Sequence, residues 1–428
     1  MKLKILVPIH VMPDIKNVTT MFMEKVLLEI RKKSEVQITW LVYQPEKQTL
    51  FSEKSQDEKT IFIHNYKDGI DVLKKEKPDM VFANANWSFI EYALSSSAKF
   101  LNIPVFSMFW SSWYFGEPVA KITRIKSLLV RFFDKTVPTD TDKNQKQFMR
   151  RAKFYLYKFL FLLKTHREMK LNNINMIKLF FFMIAQILND PPYNPRFCNT
   201  LHFLEDEDLK KTLLQFGFNK TSLVVTGNPI FDTAFQKSQN NDMMINHSDK
   251  SIIRVLFAPT ALYEHGIWTK NQKDFAVNQI ISILTKEKNK ISVIVKLHPS
   301  SSLFSEYQPL INSIDDSIPV YQNGDIQQFL DNADIVISFQ SSTSEIFSMI
   351  AKKPIIICNF FGSKTDQFVE NGIALECTNV SELLKIIYHF TSSELYEKNR
   401  EKFIQKYMYK GDGLAGHRIA NEILKLSQ

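Results

Sequence analysis

The apolar residues of the chain fall into two series of short runs, separated by segments with helical or polar patterns. The first series comprises residues 3–9, 36–43, 61–65, 79–84 and 103–109, followed after a long interval by 200–204 and 222–232. Helical stretches separate these runs, as in the segment that ends near Lys33. Short apolar strands that alternate with helices at this spacing predict a parallel sheet covered by helices.

The second series of apolar runs predicts a second α/β unit. Its strands are expected at 254–260, 291–299, 318–322, 334–339 and 353–359, with a helix at 342–351 between the last two. At 428 residues the chain also exceeds the size of one ordinary hydrophobic core. We therefore expect an N-terminal domain at 1–222 and a C-terminal domain at 223–400. A final helical segment at 401–428 is expected to pack back on the first domain.

Residues 121–188 break the alternation and predict a helical insert, at about 121–190, in the first domain. Between Lys121 and Phe180 stand 15 Lys or Arg residues against four acidic ones, a larger excess than the +9 of the whole chain. Its apolar segments, 150–164 and 176–188, are interrupted by charges and fall short of the ~20 apolar residues of a membrane span. Basic residues among aromatic ones suit helices that lie on an anionic membrane surface. The alternatives are packing against the domain or a contact between two copies. No motif supports nucleic-acid binding.

The composition excludes several classes of cofactor site. Hydrophobic residues make up 44% of the chain and charged residues 23%, as in globular proteins. Glycine is scarce, at 11 residues, and neither a G-x-G-x-x-G nor a Walker loop occurs. The three cysteines, Cys198, Cys358 and Cys377, are too far apart for a C-x-x-C metal site, and their odd number suits a reducing compartment. The apolar run at residues 3–9 is too short for a secretory signal and reads as a buried strand.

Two motifs of the second half could carry chemistry. Lys296-Leu297-His298-Pro299 ends a predicted strand, where a cationic pair could bind a diphosphate by charge-assisted hydrogen bonds. The alternative for His298 is a purely structural strand-end residue. Hydroxyl side chains follow the strand at 334–339 and open a helix that carries Glu345 in its first turn, a setting that suits phosphate. The alternative there is a capping box, in which the glutamate reaches back to the N-cap amide.

These motifs together resemble the nucleotide-binding half of GT-B-fold glycosyltransferases, over roughly residues 195–425. The order A-P-T, K-L-H-P, A-D-x-x-I-S-x-x-S-S-x-x-E and K-K-P carries the resemblance. The His-Pro and Ser-Ser pair is similar to bacterial sialyl- and Kdo-transferases. The F-A-P-T at 257–260, with K-L-H-P and D-G-L-A-G-H-R-I at 412–419, resembles CDP-glycerol polyol-phosphate transferases. T-G-N-P-x-x-D at 226–232 and the single Glu345 resemble UDP-N-acetylglucosamine 2-epimerases.

The resemblance implies a fold and a set of site residues. The fold is α/β, with two Rossmann-like domains facing a cleft and a basic helical insert in the first. The implied phosphate contacts of the donor are Lys296, His298, Ser341, Ser342 and Thr343, with Glu345 at the ribose and Thr260, Glu264 and His265 as further donor contacts. The nucleotide sugar is then a substrate, and neither a metal nor another cofactor is expected. His298 is a catalytic candidate, and the general base is expected at His10 or Asp14, with Glu117 as a third candidate.

The chain also departs from each of these subfamilies. Glu205–Asp208 lack the glycine of the sialyltransferase motif, and residues 110–116 lack the His-Gly of polyol-phosphate transferases. Ser-Ser-Thr-Ser replaces the Gly-Gly of the epimerases. The favoured hypothesis is a glycosyltransferase acting on a surface-polysaccharide or glycolipid acceptor, cytoplasmic and peripheral on the inner face of the cell membrane. The alternatives are a polyol-phosphate transferase or 2-epimerase on the same fold, or a non-catalytic interaction protein.

Overall fold

The fold is described from a computed structural model. The described residues are 2–10, 18–43, 57–84, 88–109, 141–170, 175, 177–179, 181, 195, 199–239, 252–264, 267–298, 304–340, 342–389 and 394–427, without the side chains of 141–152 and 155. The chain forms two compact units. The first comprises Met1–Ile230, Lys406–Tyr409 and Leu414–Gln428, and the second comprises Phe231–Gln405 and Lys410–Gly413.

The first unit is built on a seven-stranded parallel sheet with the order β3-β2-β1-β4-β5-β6-β7. Its strands are β1 (Leu3–Ile9), β2 (Val36–Val42), β3 (Glu58–Phe62), β4 (Met80–Phe82), β5 (Val105–Phe109), β6 (Leu201–Leu204) and β7 (Leu223–Val225). Its helices are α1 (Val18–Arg31), α2 (Gly69–Glu76), α3 (Phe89–Phe100), α4 (Thr141–Glu168) and α5 (Glu207–Gln215). The sequence places the end of the first domain at residue 222. The edge strand β7 follows that residue and still belongs to the first sheet.

Both faces of this sheet are covered, which explains its nearly continuous apolar strands. One face packs against α2, α3, α4 and α5 in a single core. The other face packs against α1 and against the last helix of the chain, which contributes Ile419, Ala420 and Ile423 to the core. This last helix, Ala415–Leu426, runs in the same direction as α1. His417 lies beside Glu29, and four residues further along both segments Lys33 donates a hydrogen bond to Asn421.

The second unit holds a six-stranded parallel sheet with the order β10-β9-β8-β11-β12-β13. Its strands are β8 (Ile253–Phe257), β9 (Ile291–Lys296), β10 (Val320–Tyr321), β11 (Ile335–Ser338), β12 (Ile355–Cys358) and β13 (Leu375–Cys377). Helices α6 (Asp232–Gln239), α7 (Lys270–Thr285), α8 (Phe304–Asn312), α9 (Ile326–Asp331) and α10 (Thr343–Ile350) come first. They are followed by α11 (Gln367–Glu370), α12 (Leu383–His389) and α13 (Glu394–Tyr407), so that the last helix of the chain is α14. The prediction of two Rossmann-like α/β units is confirmed.

Two details of the strand prediction are wrong. The strand expected at 61–65 is β3, which ends at Phe62, and Ile63–Asn65 form a 3₁₀ turn instead. The apolar run IFIHN straddles a strand end, so hydrophobicity alone displaces the strand by three residues. The three-residue edge strand β13 does not appear among the predicted strands, because its length gives no periodicity to read.

The described part of the basic insert is mainly helix α4, with short pieces after it. The inner face of α4 packs against α3 and α2, with Phe161, Leu162 and Thr165 buried. The hydroxyl of Thr165 accepts a hydrogen bond from the backbone N–H of Gly69 at 2.9 Å. Helix α4 therefore has one face buried against its own unit, which is one of the two alternatives to membrane contact. Among the described helices, none combines the length and the apolar character that a bilayer span requires.

Candidate functional site

The order of the second sheet marks one place for a ligand. The chain moves outward from β8 through β9 to β10 on one side, and from β11 through β12 to β13 on the other. The sheet therefore has its topological switch point between β8 and β11. In open parallel sheets, ligands bind outside the carboxyl ends of the strands at this point. The residues after β8, β9 and β11 are those that the sequence motifs single out.

Hydroxyl groups join the two strand ends at this switch point. The Thr260 hydroxyl lies 2.9 Å from that of Ser338 and donates to the backbone carbonyl of Gln340 at 2.8 Å. Immediately before, the N–H of Ala258 donates to the carbonyl of Ile337 at 2.9 Å. Thr260 thus fixes the loop after β11 relative to the loop after β8. Its predicted donor contact stays a prediction, and the structure adds this bridging role.

Helix α10 begins at this loop with a complete capping box. Oε2 of Glu345 accepts hydrogen bonds from the N–H and the hydroxyl of Ser342, both at 2.6 Å. Burial raises the pKa of Glu345, against hydrogen bonds from Ser338 and Ser342 that lower it. The carboxyl group is fully buried, at 0% exposure. The capping alternative is therefore realised in the structure, and the predicted ribose contact of Glu345 stays a prediction.

The cationic motif at the end of β9 divides into two residues with different surroundings. Lys296 is buried, and its ammonium donates to the carbonyls of Leu297 at 2.8 Å and Gln322 at 2.9 Å. Burial also lowers the pKa of this lysine. Lys296 therefore ties the end of β9 to the loop after β10, a role that the sequence did not predict. His298 is exposed, two residues further on.

Glu264 lies in the loop after β8, beside a buried cation. Burial raises the pKa of Glu264, and the charge of Lys273 and the Tyr307 hydroxyl oppose the change. Lys273, on α7, has its ammonium 2.6 Å from Oε2 of Glu306 and 4.8 Å from the ring centre of Tyr263. The loop after β8 thus lies against a cluster of charged side chains. The donor contact proposed for Glu264 stays a prediction.

Some predicted site residues lie outside the described residues. They are Asp14, Glu117, Ser341 and His265. Thr343 is described and is exposed in the first turn of α10. Within the described part of the chain, no group of three or more His, Cys, Asp or Glu side chains is placed to hold a metal ion.

The first sheet has a switch point of its own, between β1 and β4. His10 follows β1 and is exposed, with its ring centre 6.3 Å from that of Tyr43, which follows β2. Asn84 follows β4, and its N–H donates to Oε2 of Glu91 at 2.5 Å. His10 is the predicted candidate base, whereas Tyr43 and Glu91 were missed. The sequence does contain a signal for Glu91, which is the one acidic residue in the apolar segment FIEYAL and follows a strand-end loop.

Comparisons with known proteins agree with this architecture. The sequence profile of the CDP-glycerol:poly(glycerophosphate) glycerophosphotransferase family matches residues 209–425, about half of the chain. This region includes the whole switch point of the second sheet. A search of curated protein sequences gives no significant match.

Solved structures of similar fold cover nearly the whole chain. UDP-GlcNAc 2-epimerase from Neisseria meningitidis bound to UDP-GlcNAc aligns with a TM-score of 0.52 at 15% identity, over 99% of this chain and 100% of that chain. The 2-epimerase from Methanocaldococcus jannaschii gives the same values. The UDP complex of MnaA from S. aureus has a TM-score of 0.52 at 16% identity, over 99% of this chain and 97% of that chain. At such identities the likeness shows the fold alone, and the family match over residues 209–425 confirms the expected superfamily.

Proposed function

The chain belongs to the CDP-glycerol:poly(glycerophosphate) glycerophosphotransferase family, and from this premise we propose that it transfers a phosphopolyol group from a nucleotide-activated donor to an acceptor hydroxyl. The observation that carries the proposal is the hydrogen-bonded switch point of the second sheet, which lies inside the matched region. Thr260, Ser338 and Ser342 there join two strand ends and a helix start. In the sequence analysis, polyol-phosphate transfer was the alternative to glycosyl transfer. It is now the hypothesis that we favour.

The donor diphosphate would lie against the start of α10 and beside His298. Helix α10 has eight residues, and its first N–H groups and dipole favour an anion at this end. Thr343 supplies an exposed hydroxyl at the same place, whereas the Ser342 hydroxyl donates a hydrogen bond to Glu345. The Glu345 carboxyl engages the Ser342 hydroxyl, so the loop keeps its shape before a donor arrives. Ser341 belongs to the proposed phosphate contacts by its position in the motif, and Thr260, Glu264 and His265 remain proposed donor contacts.

The proposed reaction is a direct displacement at phosphorus. The acceptor oxygen attacks the phosphorus that carries the polyol, and a new P–O bond forms. The bond from that phosphorus to the oxygen bridging the two phosphates breaks, and the nucleoside monophosphate leaves with the electron pair. His298 and the start of α10 would stabilise the charge that grows on the leaving phosphate, where fixed donors are most effective. The acceptor proton passes to a general base, for which His10 and Asp14 are the candidates from sequence.

We assign Lys296 a positioning role in this scheme. Two of its three N–H donors are used by the carbonyls of Leu297 and Gln322. The first of these carbonyls immediately precedes His298, so the lysine fixes the backbone from which the imidazole projects. A phosphate contact would have to use the remaining N–H. Replacement of Lys296 is thus expected to act mainly through the placement of His298.

The outer face of α4 fits an anionic membrane surface that carries the acceptor. Leu156 and Leu160 are 56% and 43% exposed, and Lys153, Lys164 and Arg167 are exposed along the same helix. Apolar side chains flanked by basic ones bind membrane interfaces by burial and by attraction to anionic lipid. We therefore propose peripheral attachment to the inner face of the cell membrane. Vesicles containing anionic lipid should retain the wild type, and Leu156→Ser with Leu160→Ser should be released. Equal retention of both proteins would contradict the proposal.

Glycosyl transfer remains the second candidate function, because residues 110–116 lack the His-Gly of polyol-phosphate transferases. The two reactions differ in the product. Purified protein is incubated with CDP-glycerol and a short glycerol-phosphate oligomer, and ³¹P NMR follows new phosphodiester and CMP. Phosphodiester formation that His298→Ala abolishes supports the proposal. A parallel incubation with a nucleotide sugar that gives a new glycosidic bond, without a new phosphodiester, would instead establish glycosyl transfer.

A further inference from the structure

A buried carboxyl group lies at the carboxyl edge of the first sheet, where three strand ends meet. Glu91 stands in the first turn of α3 and is only 5% exposed. It accepts the N–H of Asn84 after β4, and its carboxyl group hydrogen-bonds the hydroxyl of Tyr43 after β2. His10, after β1, lies beside the Tyr43 ring. This is the switch point of the sheet, where parallel α/β units place their ligands.

The surroundings of Glu91 allow its charged and neutral forms to exchange near neutral pH. Burial raises the pKa of Glu91 to about 8, while the Asn84 N–H, the charge of Lys158 and the Tyr43 hydroxyl act in the opposite direction. Lys158 comes from α4 and is itself buried, and burial lowers its pKa. Buried carboxyls with such values are enriched at catalytic sites, where they serve as general bases. The Asn84 N–H that Glu91 accepts lies before the first turn of α3, so this hydrogen bond is not a helix cap.

A second observation at the same place points to a ligand. The side-chain oxygen of Asn84 is buried and has no hydrogen-bond partner among the described residues. An unsatisfied buried acceptor costs about 1–3 kcal/mol, so a ligand that donates to it recovers that free energy. The donor would have to stand next to Glu91, because the backbone of Asn84 is bonded to that carboxylate. Two adjacent hydroxyls of one polyol meet both requirements.

We propose that Glu91 receives the proton of the attacking acceptor hydroxyl, while Asn84 binds the neighbouring hydroxyl of the same polyol. The inference rests on the proposed transfer reaction and names its acceptor-side residues, with Glu91 as the general base in place of the sequence candidates His10 and Asp14. The acceptor O–H bond breaks as its oxygen bonds to phosphorus, and the proton goes to the Glu91 carboxylate. Tyr43 and Lys158 hold that carboxylate in place. The basic insert thereby contributes a residue to the acceptor site through α4.

The test compares wild type with Glu91→Gln, which keeps the shape of the side chain and removes its basicity. Turnover of CDP-glycerol should fall by about 100-fold or more, within the range of general-base catalysis. The wild-type rate should rise with pH to a plateau above about 8, because only the ionised carboxyl accepts a proton. The variant should lose this dependence and keep the stabilisation by CDP-glycerol. Asp206→Asn is the matched control: this buried carboxyl caps α5 through Leu209 N–H at 2.7 Å. It should lower the melting temperature and leave the pH profile unchanged.

A measurement independent of turnover separates this inference from the proposed function. In protein labelled with ¹³C at the glutamate carboxyl, the resonance absent from Glu91→Gln is titrated with glycerol 3-phosphate and with 3-hydroxypropyl phosphate, which lacks the middle hydroxyl. The first ligand should shift the Glu91 resonance and bind about tenfold tighter, and Asn84→Ala should abolish the difference. A Glu91 resonance that neither ligand moves would overturn the inference even if CDP-glycerol is the donor. Shifts without any CDP-glycerol turnover would support the acceptor site and refute the donor assignment.

Discussion

The replacement of Glu345 by Gln distinguishes a cap from a substrate contact at the start of α10. In the native chain one carboxylate oxygen accepts both the N–H and the hydroxyl of Ser342, at 2.6 Å each. The amide oxygen of Gln can accept the same two hydrogen bonds, so the cap survives the change. Ala cannot accept either bond and also leaves a cavity in a fully buried position. N-cap loss costs about 1 kcal/mol and buried truncations cost about 2 kcal/mol or more, so Glu345→Ala should lose about 3 kcal/mol.

The charge of Glu345 adds a dependence on pH. Because its pKa is raised in the folded protein, its contribution to stability is fully present below the unfolded value and is lost as pH rises through the folded value. The loss can reach about 1.4 kcal/mol per pH unit within that window. Glu345→Gln lacks this loss, so its free energy of unfolding should rise relative to wild type between pH 5 and pH 8. At pH 8 it should equal or exceed that of the wild type.

Urea denaturation at both pH values measures these differences, and the shift in stability with CDP-glycerol measures donor binding. If Glu345 only caps the helix, Glu345→Gln should bind the donor within threefold of wild type. If the carboxylate also holds the ribose, binding should weaken by tenfold or more while stability at pH 8 is retained. A Gln variant as unstable as the Ala variant at both pH values would refute the reasoning about the cap and the buried charge.

Three further predictions concern a hydrogen bond at the site, a buried ion pair of the second sheet and the need for a metal ion. Thr260→Val removes the hydrogen bonds to Ser338 and the Gln340 carbonyl, so calorimetry should show about tenfold weaker donor binding. Unchanged binding would show that these hydrogen bonds do not support the donor site. Asp334→Ala removes a buried carboxylate that Arg254 contacts through its backbone N–H and guanidinium at 2.8–3.1 Å. Urea denaturation should show a loss of about 2–4 kcal/mol, and a loss below 1 kcal/mol would show that this pair does not stabilise the sheet as expected. Treatment with EDTA should leave CDP-glycerol turnover within twofold, because His298 and α10 supply the positive field; loss of activity restored by Mg²⁺ would show a metal requirement.

The two parallel sheets could be predicted from the sequence because their strands are buried on both faces. Such strands appear as nearly continuous apolar runs, as in Ile5–Ile9 and Ile355–Cys358. Edge strands lack this signal. The edge strand β3 begins with Glu58 and Lys59, so the apolar run marks only its end. The prediction was therefore accurate for central strands and poor at the edges.

The site was predictable only where neighbouring residues form a motif. Ser342 and Glu345 stand three positions apart, and this spacing alone indicates a capping box. Lys296 donates a hydrogen bond to the carbonyl of Gln322, which lies 26 positions away in the sequence. No local pattern predicts such a contact. In the sequence, Glu91 is a single charge in an apolar segment, and Lys158 is one of many basic residues of the insert. Only the packing of α3 against α4 brings them together.

The most direct test of the central claim is the stability of the wild type and His298→Ala with and without CDP-glycerol. A ligand that binds only the folded state stabilises it by about 2.7 kcal/mol at a hundredfold excess over its Kd. We expect a rise of this size in the wild type with CDP-glycerol, a smaller one with CDP, and little in His298→Ala. A rise of equal size in both proteins would place the nucleotide elsewhere. No rise with any cytidine or uridine nucleotide would contradict a donor site at the switch point of the second sheet.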